Sequence, residues 1–213
     1  MIWSQEPVFM DTLSHGLWAT ALGKGVNLRS TKKIRVGWMA VWGIIPDLFA
    51  FTPVVLWMLW QLFYNGVSFS DIPRPELMSP KERNAIFILH VSATLYHISH
   101  SLITFLVLFF LTGSVRWNKG KREEHREETS LKTVHPPRWR YTPCWEMTGW
   151  FIHVLMDIPT HSGMLYPTLF LWPLSDWYYD GNSWGTLWFM IANYSCLLIV
   201  FMLLRFARKV KST

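Results

Sequence analysis

Residues 36–64, VGWMAVWGIIPDLFAFTPVVLWMLWQLFY, hold one charged side chain, Asp47, in 29 positions. A helix of about 20 apolar residues crosses a bilayer, so this stretch directs the chain into a membrane. Pro46 and Pro53 interrupt it. Each removes an N–H and crowds the carbonyl four residues back, which predicts a bent or broken helix. Three further apolar segments follow. Residues 85–112 form a clean spanning candidate ending near Gly113. Residues 145–158 begin another, which Pro159 should interrupt before the apolar chain resumes through Trp172. Residues 184–206 are the last span. Upstream, a short helix is expected from Asp11 or Thr12, as N-cap, to Leu22, with Gly23 and Gly25 behind it. It is too short to cross alone and should lie at the interface or against the bundle. The stretch before residue 25 has no basic region or small-residue cleavage site, so a signal peptide is not expected.

Composition agrees. Of 213 residues, 51% are hydrophobic and 16% charged, against about 25% charged in soluble domains. Neither an ordinary soluble protein nor a disordered chain has these proportions. Cys144 and Cys196 cannot build a disulfide framework or a Cys-rich zinc site and are expected to be packing residues. The net charge of +6 reports loop topology rather than nucleic-acid binding, which is not expected. Seventeen of the 20 basic residues lie at 24–35, 116–140 and 205–211, with mixed-charge or acidic loops between. That alternation predicts four spans in the cell's cytoplasmic (inner) membrane, with basic loops and C-terminus in the cytoplasm. The expected fold is all-α, a polytopic helical bundle of about four transmembrane helices plus the short N-terminal helix, in one domain. The 113–144 segment, containing GKREEHREETSLK, His125 and His135, is expected to be a charged solvated loop.

Ionisable residues inside spans are costly and mark functional positions. Here they are His15, Asp47, His90, His97, His100, His153, Asp157 and His161, with almost no Lys, Arg or Glu among them. A divalent metal binds neutral imidazole and carboxylate together, which suits such a set. His153 and Asp157 are four apart on one helix face, and His97 and His100 are three apart. By residue count, Asp47, His97, His100 and His153 lie at similar depths, and the break expected at Pro46 would free backbone near a cavity. His90 is expected to be an interhelical contact. His97 is either a ligand or a partner orienting His100. The Trp residues are expected to be interfacial anchors and core.

These residues resemble, in order, the bacterial and archaeal membrane-bound metal-dependent hydrolases, some described as LexA-binding inner-membrane proteins, and more distantly the zinc-dependent phospholipases C. The resemblance rests on Ser14-His15-Gly16, Pro46-Asp47, Ser99-His100-Ser101, His153 with Asp157, Pro159-Thr160-His161-Ser162-Gly163 and Trp172-Pro173. Tyr96 stands where the family carries Arg, Ser99 replaces its Thr, and the last span has Asn193 in place of a His-x3-Glu. The resemblance implies phosphoester hydrolysis. His15, Asp47, His100, His153 and Asp157 would be ligands of one or two divalent ions, with His97 or His161 as proton donor to the leaving group. Zn²⁺ is the first choice for His-rich N/O ligation without thiolate, with Mn²⁺ or Fe²⁺ as alternatives. A site at this depth suits a membrane lipid or lipid-like substrate entering sideways. A structural metal site or partner platform, and an ion or proton pathway, are the competing readings.

Overall fold

The computed structural model describes residues 11–73, 75, 78–113, 143–162 and 167–212. Nearly all of the 113–144 charged segment therefore lies outside the described residues, as do the first ten residues and Gly163. Among the described residues all regular structure is helical: α1 (Asp11–Arg29), α2 (Val36–Phe63), α3 (Pro80–Ala85), α4 (Phe87–Ser99), α5 (Leu102–Gly113), α6 (Thr148–Thr160) and α7 (Leu187–Ser212). Single 3-10 turns at Phe69–Asp71 and Trp145–Met147 complete it.

Among the described residues two helices, α2 and α7, are long and apolar enough to cross a membrane, and α4 with α5 make a third span if counted as one broken unit. The expectation of four spans is corrected to two or three. The segment at 145–158 is the difference. It becomes α6, only 13 residues or about 20 Å long, short of the ~30 Å hydrocarbon layer. It is a core helix, burying Trp150, His153, Val154 and Asp157. Pro159 falls in its last turn and the chain beyond is extended at His161. The return strand of chain then seals that end: Gly181, Asn182 and Trp184 donate backbone N–H groups to the carbonyls of His161, Pro159 and Thr160 at 2.9–3.1 Å. Gly181 is required there, since a Cβ would stand 2.2 Å from the Pro159 oxygen.

The proline-rich helix and the clean one exchange their expected behaviour. α2 runs unbroken through Pro46 and Pro53. Proline removes the N–H that would bond the carbonyl four residues back, and neighbouring helices bond the backbone beside each of these positions. Three residues before Pro46, the Gly43 oxygen accepts from His153 Nδ1 at 2.7 Å. Three residues before Pro53, the Ala50 oxygen accepts from Ser92 Oγ at 2.9 Å. Conversely, α4 and α5 meet at a 62° bend over His100 and Ser101 with no proline there. Ser101 supplies the N-cap of α5, its Oγ accepting from the N–H groups of Ile103 and Thr104 at 3.1 and 3.2 Å. The Leu102 N–H is taken by the Phe170 oxygen at 2.9 Å.

α1 is longer than its sequence boundary, continuing past Gly23 and Gly25 to Arg29. The glycine at 23 admits a neighbour instead of ending the helix, with Met39 Sδ only 3.0 Å from a Cβ built there. The same device joins α1, α2 and α6. A Cβ on Gly149 would lie 2.1 Å from the Met39 oxygen, and one on Gly43 2.8 Å from the Ala19 Cβ. Small residues at helix crossings let backbones approach, the usual route to tight packing in lipid. Beside that crossing, Phe105, Met147, Trp150 and Val154 form a buried apolar cluster with Trp42, Phe109 and Cys144 against it. Cys196, expected to be packed, is exposed on α7.

Three contacts gather the basic regions at one end. Lys211 Nζ donates to the Leu28 oxygen at 2.6 Å, Arg35 Nε to Glu146 Oε1 at 2.9 Å, and Thr112 Oγ1 to Met147 Sδ at 3.1 Å.

Candidate metal centre

Four helices deliver side chains to one buried point. α1 brings His15, α2 brings Asp47, the α4 C-cap brings His100, and α6 brings His153 and Asp157. His100, His153 and Asp157 are fully buried, and His15 and Asp47 are 2% and 8% exposed. All five expected ligands are therefore together.

The protonation of two rings follows from their outer partners. His153 Nδ1 lies 2.7 Å from the Gly43 carbonyl oxygen, which can only accept, so the proton resides on Nδ1. His100 Nδ1 is held the same way by the Tyr96 oxygen at 3.0 Å, with Ser99 Oγ at 2.9 Å. In the neutral form each ring would present a bare Nε2 lone pair inward. The two Nε2 atoms stand 2.9 Å apart. Both face Asp157 Oδ2, at 3.0 and 3.1 Å, and Asp47 Oδ1, at 3.4 and 3.5 Å. Four ligand-type nitrogen and oxygen atoms converge there.

A metal ion bound among these atoms would resolve this arrangement. Ligands at about 2.0–2.1 Å in a tetrahedron are about 3.3–3.4 Å apart, and adjacent ligands in an octahedron about 3.0 Å apart. The five distances above, 2.9–3.5 Å, cover that interval. Both oxygens of the buried Asp157 carboxylate face imidazole nitrogens at 3.0–3.1 Å. A buried charge of this kind is compensated by ion pairing or by a metal ion, and the donor set here would suit either. Two carboxylates balance the charge of one divalent ion. The buried His/Asp groups can thus hold a metal ion.

The other Asp157 oxygen opens a second flank. Oδ1 is 3.0 Å from His15 Nε2 and 3.6 Å from His161 Nδ1. The His15 ring lies over His153 with centroids 3.8 Å apart. His15, Asp47 and His153 form a second, overlapping group of donor atoms. His161 is at the rim, 18% exposed. His97 is half-buried on α4 and does not join either donor group. His90 is exposed on the same helix.

Several supporting residues carried no signal of their own in the sequence. Thr12 Oγ1 donates to Asp47 Oδ2 at 2.6 Å, leaving Oδ1 directed at the histidines. Tyr96 stacks on the His100 ring at 3.7 Å and 20°, and its hydroxyl meets Thr168 Oγ1 at 3.0 Å. Trp150 Nε1 donates to the Ser99 oxygen at 2.6 Å, bracing the turn that carries His100. Thr12 stood out only as a helix N-cap candidate, Tyr96 only as a departure from the family pattern, and Ser99 only by its place beside His100.

Comparison with protein-family models, curated proteins and solved structures finds no match for this chain.

Proposed function

We propose that the chain is a membrane-embedded metal-dependent hydrolase acting on a phosphoester of a lipid or similar amphiphile. The observation that carries this reading is the convergence of bare imidazole Nε2 atoms and carboxylate oxygens from four helices at one buried point. The ordered family motifs supply the reaction class. A bound divalent ion lowers the pKa of a coordinated water toward about 7 and stabilises developing charge on a phosphoryl oxygen.

The chain's own residues divide the remaining work. His100 and His153 keep their protons on Nδ1 and their Nε2 atoms free for the ion. Thr12 fixes the Asp47 carboxylate. Asp157 has one oxygen toward His100 and His153 and the other toward His15, so it would help to hold an ion among them. His161, at the exposed rim beside Asp157, is placed to hand a proton to a leaving group. Zn²⁺ is the proposed ion because the donors are nitrogen and oxygen with no thiolate. The basic ends grouped together suit a cytoplasmic-membrane protein with its C-terminus inside.

A screen of lipid phosphoesters tests the activity. Release of phosphate or head group should require added Zn²⁺ or Mn²⁺ and vanish in Asp157→Ala. Release that persists in Asp157→Ala would contradict the assignment. A structural metal site is the second reading, favoured by the complete burial of His100, His153 and Asp157. It predicts metal binding with no turnover and no exchangeable ligand position.

A further inference from the structure

Away from the metal donors, α1, α6 and α7 enclose a groove of about 1290 Å³. It exists because α7 packs along α1, where Asn193 accepts from Trp18 Nε1 and donates to Ser14 Oγ, both at 2.8 Å. Its walls are apolar, with Leu22 of α1, Met156 of α6, and Leu203 and Leu204 of α7. His153 and Asp157 do not line it. Arg29 and Lys211 are its charged lining residues, and both belong to the last turns of their helices at the basic end of the bundle. Lys211 Nζ, 2.6 Å from the Leu28 oxygen, has two further hydrogens to donate.

We propose that this groove retains one anionic phospholipid, with its phosphate between Arg29 and Lys211 and its acyl chains along Leu203, Leu204 and Met156. An apolar cleft beside a spanning helix is filled by hydrocarbon and not by water. The two cations at its mouth choose the head group, as basic pockets between membrane helices do on the cytoplasmic side. Depth agrees as well. Leu203 and Leu204 precede Lys211 by seven or eight residues, about 10–12 Å of helix, within one leaflet of roughly 15 Å. The site is independent of the hydrolase reading and survives if that reading fails.

The test is thermal unfolding of the full chain in neutral detergent, with phosphatidylglycerol, phosphatidylcholine or inorganic phosphate added. Phosphatidylglycerol should raise Tm by several degrees, while the other two leave it unchanged. The Arg29→Gln/Lys211→Gln double variant should lose that increment. Gly25→Phe keeps both charges but fills the groove, since a Cβ at Gly25 meets Leu204 at an ordinary 3.7 Å. It should lose the increment too. Equal stabilisation by phosphatidylcholine, the full effect from inorganic phosphate, or an increment retained in the double variant or in Gly25→Phe would overturn the proposal.

Discussion

At the candidate metal centre two histidines are oriented by acceptors that cannot give a proton back: Gly43 O for His153 and Tyr96 O for His100. These outer bonds fix the tautomer and raise the basicity of the inward nitrogen. Loss of such a partner typically weakens metal binding 10- to 100-fold. Thr12→Val should therefore lower metal affinity by about that factor while leaving the fold intact, since Thr12 is half-buried and serves Asp47. Titration with a competing chelator measures it, and unchanged affinity would remove Thr12 from the site. A different residue reports on pH. Burial raises the Glu146 carboxyl, but the Arg35 hydrogen bond, its own backbone N–H and Cys144 outweigh this and hold it below the usual carboxylate range. A depressed folded-state value adds stability above the unfolded pKa of about 4.3, which is lost as pH falls through the folded value. Glu146→Gln should be less stable than wild type at neutral pH, with the gap closing below about pH 4. Arg35 is 61% exposed, so solvent screening keeps the effect under about 1 kcal/mol. A gap that stays constant from pH 7 to 3 would show the pair contributes nothing. The residues that meet in the buried cluster were legible, because Asp and His within apolar helices have few other reasons to be there. Their partners were not, since backbone oxygens such as Gly43 O leave no trace in sequence.

Helix boundaries here are set by tertiary partners more than by local propensity. Pro46 and Pro53 lie within a continuous α2, where His153 and Ser92 bond the carbonyls three residues before each. The chain bends instead at Ser101, where an N-cap hydroxyl and the Phe170 oxygen redirect it. A run with no Pro or Gly from 85 to 112 gives no warning of this; Ser101, with capping chemistry, was the available sign. Ser101→Ala should cost about 1 kcal/mol from the lost cap, with more from the Trp172 oxygen that Ser101 Oγ also serves. Chemical denaturation measures it, and a loss under ~0.3 kcal/mol would mean that the bend does not depend on the cap. Gly149 makes a sharper case. With Met39 O only 2.1 Å from a Cβ, Gly149→Ala must push α6 off α2, at roughly 1–3 kcal/mol. The same crossing carries the bond from His153 Nδ1 to Gly43 O, so metal affinity should fall along with stability. Normal affinity in a destabilised Gly149→Ala would separate the helix crossing from the site.

Over the whole molecule, apolar composition and loop charge identified a helical membrane protein, and the long spans at α2 and α7 follow directly from them. The count of spans did not, because α6 is apolar for a different reason: it is packed inside the bundle. Hydrophobic length cannot distinguish lipid contact from core. With five ionisable groups gathered at its centre, a bundle that binds an ion there should owe part of its stability to that ion. A ligand binding only the folded state at 1,000 times its Kd adds about 4 kcal/mol, so chelator should lower Tm substantially and the ion restore it. Direct metal analysis of purified protein tests the convergence most sharply, combined with X-ray absorption at the metal edge. The account predicts bound metal in a shell of nitrogen and oxygen at about 2.0–2.2 Å with imidazole scattering and no sulfur, lost in both His153→Ala and Asp157→Ala. Full metal retention in both variants, or a purified protein that takes up no divalent ion, would contradict it.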